Sequence, residues 1–184
     1  MSQNSYSLQV NTFRQLHQTG CFVLPNPWDR GSAIALQKLG FSALATTSAG
    51  FAFSRGLSDS ISAITRDEML THIADIFSAT SLPVNADFQA GYAQDPEQVS
   101  ENVTLCTATG AAGLSIEDAT GDSRSPLFER SLAVERIRAA RQAIDTTGSG
   151  ALLTARCEAR LVKFDHADEI ILERLVAFAE AGAD

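Results

Sequence analysis

Lysine is nearly absent from this sequence of 184 residues: Lys38 and Lys163 are the only two, and the other twelve of its 14 basic residues are arginines. Chemistry that needs an amine nucleophile or base has almost nowhere to reside. Cysteine is equally sparse. Cys21, Cys106 and Cys157 lie far apart with no Cys-x-x-Cys pair, which argues against a disulfide framework or a thiolate zinc site and fits reduced, core-type thiols in the cytoplasm. No apolar run approaches the roughly 20 residues that span a bilayer, and residues 1–7 lack a basic start followed by an apolar stretch. No membrane or secretory role is expected. Positive charge is also in deficit, since 14 basic against 22 acidic residues give a net charge of -8. That is the wrong sign for gripping a phosphate backbone, so nucleic acid is not an expected partner. What the chain does have is 45% hydrophobic content with only 5 prolines, enough to offset chain entropy in one globular domain.

Short apolar runs alternate with longer helix-period stretches, the pattern of βα units. The runs at 21–24, 43–46, 83–87, 113–117 and 151–155 read as strands covered on both faces. Helices are predicted at about 8–18, leading in, and at 29–39, where Gly40 is placed to end the second. The next opens with a capping box, Thr65-Arg66-Asp67-Glu68, followed by Leu70, Ile73 and Phe77 on one face. Further helices are predicted at 96–109, at 132–144, and at 168–181 with Ile171, Leu175 and Phe178 inward. An open dinucleotide-binding sheet would need a Gly-rich turn after its first strand, but that run ends in Leu24-Pro25-Asn26-Pro27. A closed barrel needs eight units and about 250 residues. The expectation is therefore an α/β fold, a (β/α)8 TIM barrel that is C-terminally incomplete, with about five βα units in a single domain over 1–184.

Barrel enzymes place their reacting groups at the C-terminal ends of strands and in the following loops. Three such ends supply acids here: Asp87, then Glu117-Asp118, then Glu158 beside Arg156. Converging carboxylates repel unless a hard cation neutralises them, and Mg²⁺ prefers a few carboxylates with water and substrate oxygens completing its shell. Ser48-Ala49-Gly50, read as a loop, offers backbone N–H groups to a substrate carboxylate, and Arg156 can bind a second acidic group bidentately. His17, His72 and His166 fall on predicted helices or their approaches and read as surface or packing residues.

Thr46-Thr47-Ser48-Ala49-Gly50, Leu82-Pro83-Val84-Asn85-Ala86-Asp87, Gly91-Tyr92, Ala112-Gly113-Leu114-Ser115-Ile116-Glu117-Asp118 and Thr154-Ala155-Arg156-Cys157-Glu158, in that order, resemble the isocitrate lyase and phosphoenolpyruvate mutase superfamily. The similarity runs over about 11–184. It implies a Mg²⁺-dependent barrel, with Mn²⁺ able to stand in, that binds a small α-keto acid and cleaves or forms a C–C or P–C bond through an enolate. Asp87 falls at the family's direct metal ligand, while Asp59 and Glu117 fall at carboxylates that hold the metal's waters. Ser48, Ala49 and Gly50 match the substrate-carboxylate loop. Arg156 matches the substrate anchor, and with Asp59 it is assigned to the catalytic set.

Two departures shape the functional expectation. Gln89 stands where the family usually has a second acid, so one member of the metal shell is neutral. Lyase members carry Lys-Lys-Cys-Gly-His after the fourth strand, with the cysteine as general acid; residues 119–128 here contain no Cys, Lys or His. The reaction expected is thus a lyase, decarboxylase or hydrolase step on a small oxo acid. Two alternatives remain open: a keto-acid-binding protein that has lost catalysis, and a 2-methylisocitrate lyase or phosphonomutase using another acid. The protein is expected in the cytoplasm, as a homo-oligomer at full length.

Overall fold

The computed structural model describes residues 3–184, with side chains from residue 6 onward. Its elements are α1 (Gln3–Leu16), α2 (Arg30–Lys38), β1 (Leu44–Ala45), α3 (Ser48–Ser54), α4 (Arg66–Ala79), β2 (Val84–Asp87), α5 (Pro96–Ala108), β3 (Gly113–Glu117), α6 (Arg130–Thr147), β4 (Leu152–Arg156) and α7 (Ala167–Glu180). The strands form one parallel sheet in chain order, β1-β2-β3-β4. Strand order that never reverses, with a helix in each crossover, is the wall of a TIM barrel; a doubly wound sheet would switch direction.

Alternation along each strand divides the sheet into two faces. Val84, Ala86, Leu114, Ile116 and Leu153 are buried in the outer clusters under the helices. The inner face carries Asn85, Asp87, Ser115, Glu117, Thr154 and Arg156, all lining one cleft. At the bottom of the wall α1 seats Val10 and Phe13 against Ala43, Ala112 and Leu152. Gly113 makes this approach possible: a Cβ there would lie 2.7 Å from Phe13 and 2.8 Å from the Asn85 side-chain oxygen.

Local chemistry explains the helix ends. The Thr65–Glu68 capping box forms as the sequence predicts. A second box joins Asp29 to Ser32 at the start of α2. Asp95 caps α5, whose first residue is Pro96, and Gly148 ends α6 in the left-handed conformation.

Four sequence expectations need correction. The run at 21–24 is not a strand. Beyond it, Ala45 N donates to Pro25 O at 3.1 Å and Asn26 Nδ2 donates to Ala45 O at 3.1 Å, but Pro25 and Pro27 have no N–H to extend a ladder. Four strands are therefore described rather than five. Residues 48–50 are not a loop but the first turn of α3, capped by the Thr47 side chain. Leu175 is 41% exposed, and Arg174 takes the inward position on α7, because Asp118 and the Phe128 carbonyl receive its guanidinium. Of the cysteines only Cys106 is fully buried; Cys21 is exposed and Cys157 half-buried, and all three are free thiols. No helix among the described residues is long and apolar enough to cross a membrane.

Candidate active site

Asp87 closes β2 and is oriented from two sides. Its backbone N–H donates to the Thr46 hydroxyl at 2.8 Å. Its carboxylate Oδ2 accepts from Ser48 N at 2.7 Å and from Ser48 Oγ at 2.8 Å. The first turn of α3 thus holds the strand-end acid, with the charge near the positive end of that short helix.

Register places the other groups beside it. Asp87 pairs with Ser115 on β3, and Glu117, two residues on and on the same face, pairs with Arg156 on β4. Arg156 Nη1 lies 2.7 Å from Glu117 and 3.5 Å from Asp87, while Nη2 lies 2.7 Å from Glu158. Burial pushes the Glu117 carboxyl up to about 7; Arg156 opposes the rise, and Asp87, Glu158 and Asp59 add to it. Burial alone would lower Arg156, but Glu117, Glu158 and Asp87 outweigh it and hold the guanidinium above its ordinary value. One cation among several half-buried acids is a site short of positive charge.

Asp87, Ser115, Glu117 and Arg156 line a cleft of about 830 Å³ that also includes Thr46, Thr47, Ser48, Ala49, Asp59 and Gln89. The donor set suits Mg²⁺. Asp87, Asp59, Glu117 and Gln89 offer hard oxygens, and the Gln89 Oε1 atom is buried without a hydrogen-bond partner. No three Asp, Glu, His or Cys side chains among the described residues are already gathered as a metal cluster, since Arg156 stands between the acids. A cation that takes one or two carboxylates and otherwise water or substrate oxygens still fits. Gln89 itself sits at φ 46. Its loop is held by Arg136, which donates to the Ala90 and Ala93 carbonyls and stacks 3.9 Å over the Phe128 ring.

Each residue expected from sequence can now be placed. Asp87, Glu117, Gln89, Asp59, Arg156, Ser48 and Ala49 all reach the cleft. Gly50 is not among the lining residues; its N–H donates instead to the Thr47 hydroxyl at 3.0 Å. Ser48 spends both its donors on Asp87, so it orients the acid. Sequence reasoning did not single out Asn85, Ser115 and Thr154, which continue the polar inner face below the acids. The signal was present: in each strand a polar residue stands two before the charged one, the period of a strand face. Asn85 Oδ1 is buried without a partner.

Parallel strands in chain order, with acids and an arginine at their C-terminal ends, form the wall of a TIM barrel, with its charged groups at the end where such barrels carry their sites. The phosphoenolpyruvate phosphomutase family model matches residues 13–184, and the chain belongs to the isocitrate lyase and phosphoenolpyruvate mutase superfamily. A Burkholderia cenocepacia J2315 protein described as a lyase/mutase is 46% identical, with a TM-score of 0.93 over 98% of this chain and 64% of its own. The 2-methylisocitrate lyase of Escherichia coli (strain K12) is 33% identical over 159 residues, 83% of this chain and 52% of that protein. A phosphonopyruvate hydrolase crystallised with oxalate and Mg²⁺ superposes with a TM-score of 0.87 over 96% of this chain and 61% of its own, at 22% identity, a likeness of fold. The chain thus spans 52–64% of the length of these three proteins.

Proposed function

We propose that this chain carries the metal- and substrate-binding wall of a Mg²⁺-dependent enzyme acting on a small 2-oxo acid. The reaction makes or breaks a C–C or P–C bond beside the carbonyl. The observation that carries this reading is the meeting of Asp87, Glu117 and Arg156 at neighbouring strand ends, with Asp87 held by Ser48. Asp87 would hold the metal directly, and Asp59, Glu117 and Gln89 would hold it through water. The metal, when bound, supplies polarisation of the carbonyl and stabilisation of an enolate. Arg156 would anchor a substrate carboxylate with its two-pronged guanidinium. Ala49, in the first turn of α3, lies where a second acidic group would meet backbone N–H.

The reaction class follows from what residues 119–128 contain. With no Cys, Lys or His there, the general acid used by the lyases is missing, and such acids contribute about 10²- to 10⁴-fold. Decarboxylation or hydrolysis of a three- or four-carbon oxo acid is favoured over cleavage of a tricarboxylate. The same absence favours one second reading, a keto-acid-binding protein without turnover. We place residues 1–184 in a single barrel domain of a cytoplasmic homo-oligomer.

Calorimetric titration of oxalate, a planar stand-in for the enolate of pyruvate, tests the site. Binding should require Mg²⁺ and should be lost in Asp87→Ala; Mg²⁺-independent binding, or an undiminished Asp87→Ala variant, would overturn the reading. Mg²⁺-dependent release of pyruvate from oxaloacetate separates the enzyme from the binding protein.

A further inference from the structure

Arg156 is useful to a substrate only if its guanidinium stays in one orientation. Among three carboxylates, two of them on the floor of the cleft, a flexible arginine side chain has several ways to lie. The structure supplies a fixed partner on the side away from Asp87. Glu158, 7% exposed, takes Nη2 at 2.7 Å and does not itself line the cleft.

Glu158 is in turn fixed by a buried ion pair that the cleft does not contain. Its backbone N–H donates to Asp118 Oδ1 at 2.8 Å, and Asp118 Oδ2 accepts from Arg174 Nη1 at 3.1 Å. The pair is closed off, with side-chain exposures of 3% for Asp118 and 10% for Arg174. Arg174 Nη2 also donates to Phe128 O at 2.8 Å, and Phe128 N donates to Asp118 O at 2.9 Å. One carboxylate therefore ties together the loop after β3, the loop after β4 and α7. A buried ion pair is weak evidence for stability, because desolvation offsets its attraction, but it does specify geometry when each hydrogen bond is satisfied.

We propose that Glu158 is a positioning residue for Arg156, and that the Asp118–Arg174 pair sets Glu158 by holding its backbone N–H. The chain of contacts runs from α7 through Asp118 to Glu158 and then to the guanidinium. None of the three lines the cleft. Their effect is on how often Arg156 presents the right edge to the oxo acid. The inference rests on Arg156 being the anchor.

The test measures Mg²⁺-dependent oxalate binding, and KM and kcat for oxaloacetate, in Arg156→Ala, Glu158→Ala, Glu158→Gln and Asp118→Asn, with thermal melts confirming the fold. Glu158→Ala should raise the oxalate Kd and the KM together by about tenfold with kcat within about twofold, the pattern of lost uniform binding. Glu158→Gln still accepts a hydrogen bond from Arg156 and should recover to within about threefold of the parent. Asp118→Asn keeps an oxygen for the Glu158 N–H but loses the charge opposite Arg174, and should weaken oxalate binding by about threefold. If Arg156→Ala weakens oxalate but Glu158→Ala does not, or if Glu158→Gln is as impaired as Glu158→Ala, the proposal fails while the anchor stands. If Arg156→Ala itself binds oxalate normally, the anchor reading fails first. Should Glu158→Ala not fold, the comparison of Glu158→Gln with the parent decides: a Kd raised more than about tenfold despite the retained hydrogen bond contradicts the proposal.

Discussion

The two faces of the sheet obey opposite rules. On the outer face Val84, Ala86, Leu114, Ile116 and Leu153 are at most 1% exposed and belong to the apolar clusters under the helices. On the inner face, one residue away along the same strands, Asp87, Glu117 and Arg156 are held by hydrogen bonds and charge pairs around an open cleft. Stability and chemistry thus share a backbone but not side chains. Residues on one face should be alterable with little effect on the property that the other controls, as long as the strand register is kept.

Leu114→Ala gives the largest effect expected from the outer face. It is fully buried, and emptying such a site costs about 2–5 kcal/mol; the folded fraction should still bind oxalate with Mg²⁺ as before. A chemical-denaturation midpoint that does not move would show that the outer face is not the core. Asp87→Ala is the mirror image. It should reduce Mg²⁺-dependent oxalate affinity by at least about 100-fold with the melting temperature changed far less than by Leu114→Ala, because the lost Ser48 hydrogen bonds are partly offset by removal of a like charge beside Glu117. If stability collapses instead, the two faces are not separable.

Acidity sharpens the contrast further. Glu117 is raised from its ordinary 4.5 to about 7, so the folded state retains a proton that the unfolded chain gives up. Such a group adds stability that is complete below its unfolded pKa and lost as the pH climbs through its folded one. Metal-free protein should therefore lose on the order of 2 kcal/mol between pH 4.5 and 7, and Glu117→Gln should flatten that slope in a series of denaturant melts. A slope unchanged by the substitution would assign it elsewhere. The smallest effect is expected at Gln89. Aspartate tolerates the left-handed backbone there, and Gln89→Asp should tighten Mg²⁺ severalfold by adding one carboxylate to the shell; weaker Mg²⁺ binding would remove Gln89 from it.

Much of the outer face was legible from sequence, because apolar runs and caps are local signals. The Thr65-Arg66-Asp67-Glu68 box marked the start of α4, and the runs at 83–87, 113–117 and 151–155 marked β2, β3 and β4. Where long-range contacts decide, the reading strayed. Residues 48–54 contain a glycine and no charge, so nothing in their pattern announces α3; the helix is fixed by Thr47 and by Ser48 bonding to Asp87. Periodicity favoured Leu175 inward, yet a partner on β3's following loop drew in Arg174. The run at 21–24 has strand composition, but the prolines after it leave a single carbonyl to meet β1. Asp87, Glu117 and Arg156 were found from their strand-end positions. The contacts that orient them, through Ser48, Glu158 and Asp118, depend on elements far away in the chain.

Crystals of the protein grown with Mn²⁺ and oxalate test the central claim most directly, since Mn²⁺ gives an anomalous signal and favours the same oxygen donors as Mg²⁺. An anomalous peak should lie within about 2.2 Å of an Asp87 carboxylate oxygen, with oxalate on its cleft side and Glu117 within reach of a bound water. A peak elsewhere in the molecule, or oxalate held by Arg156 with no metal beside Asp87, would contradict the account.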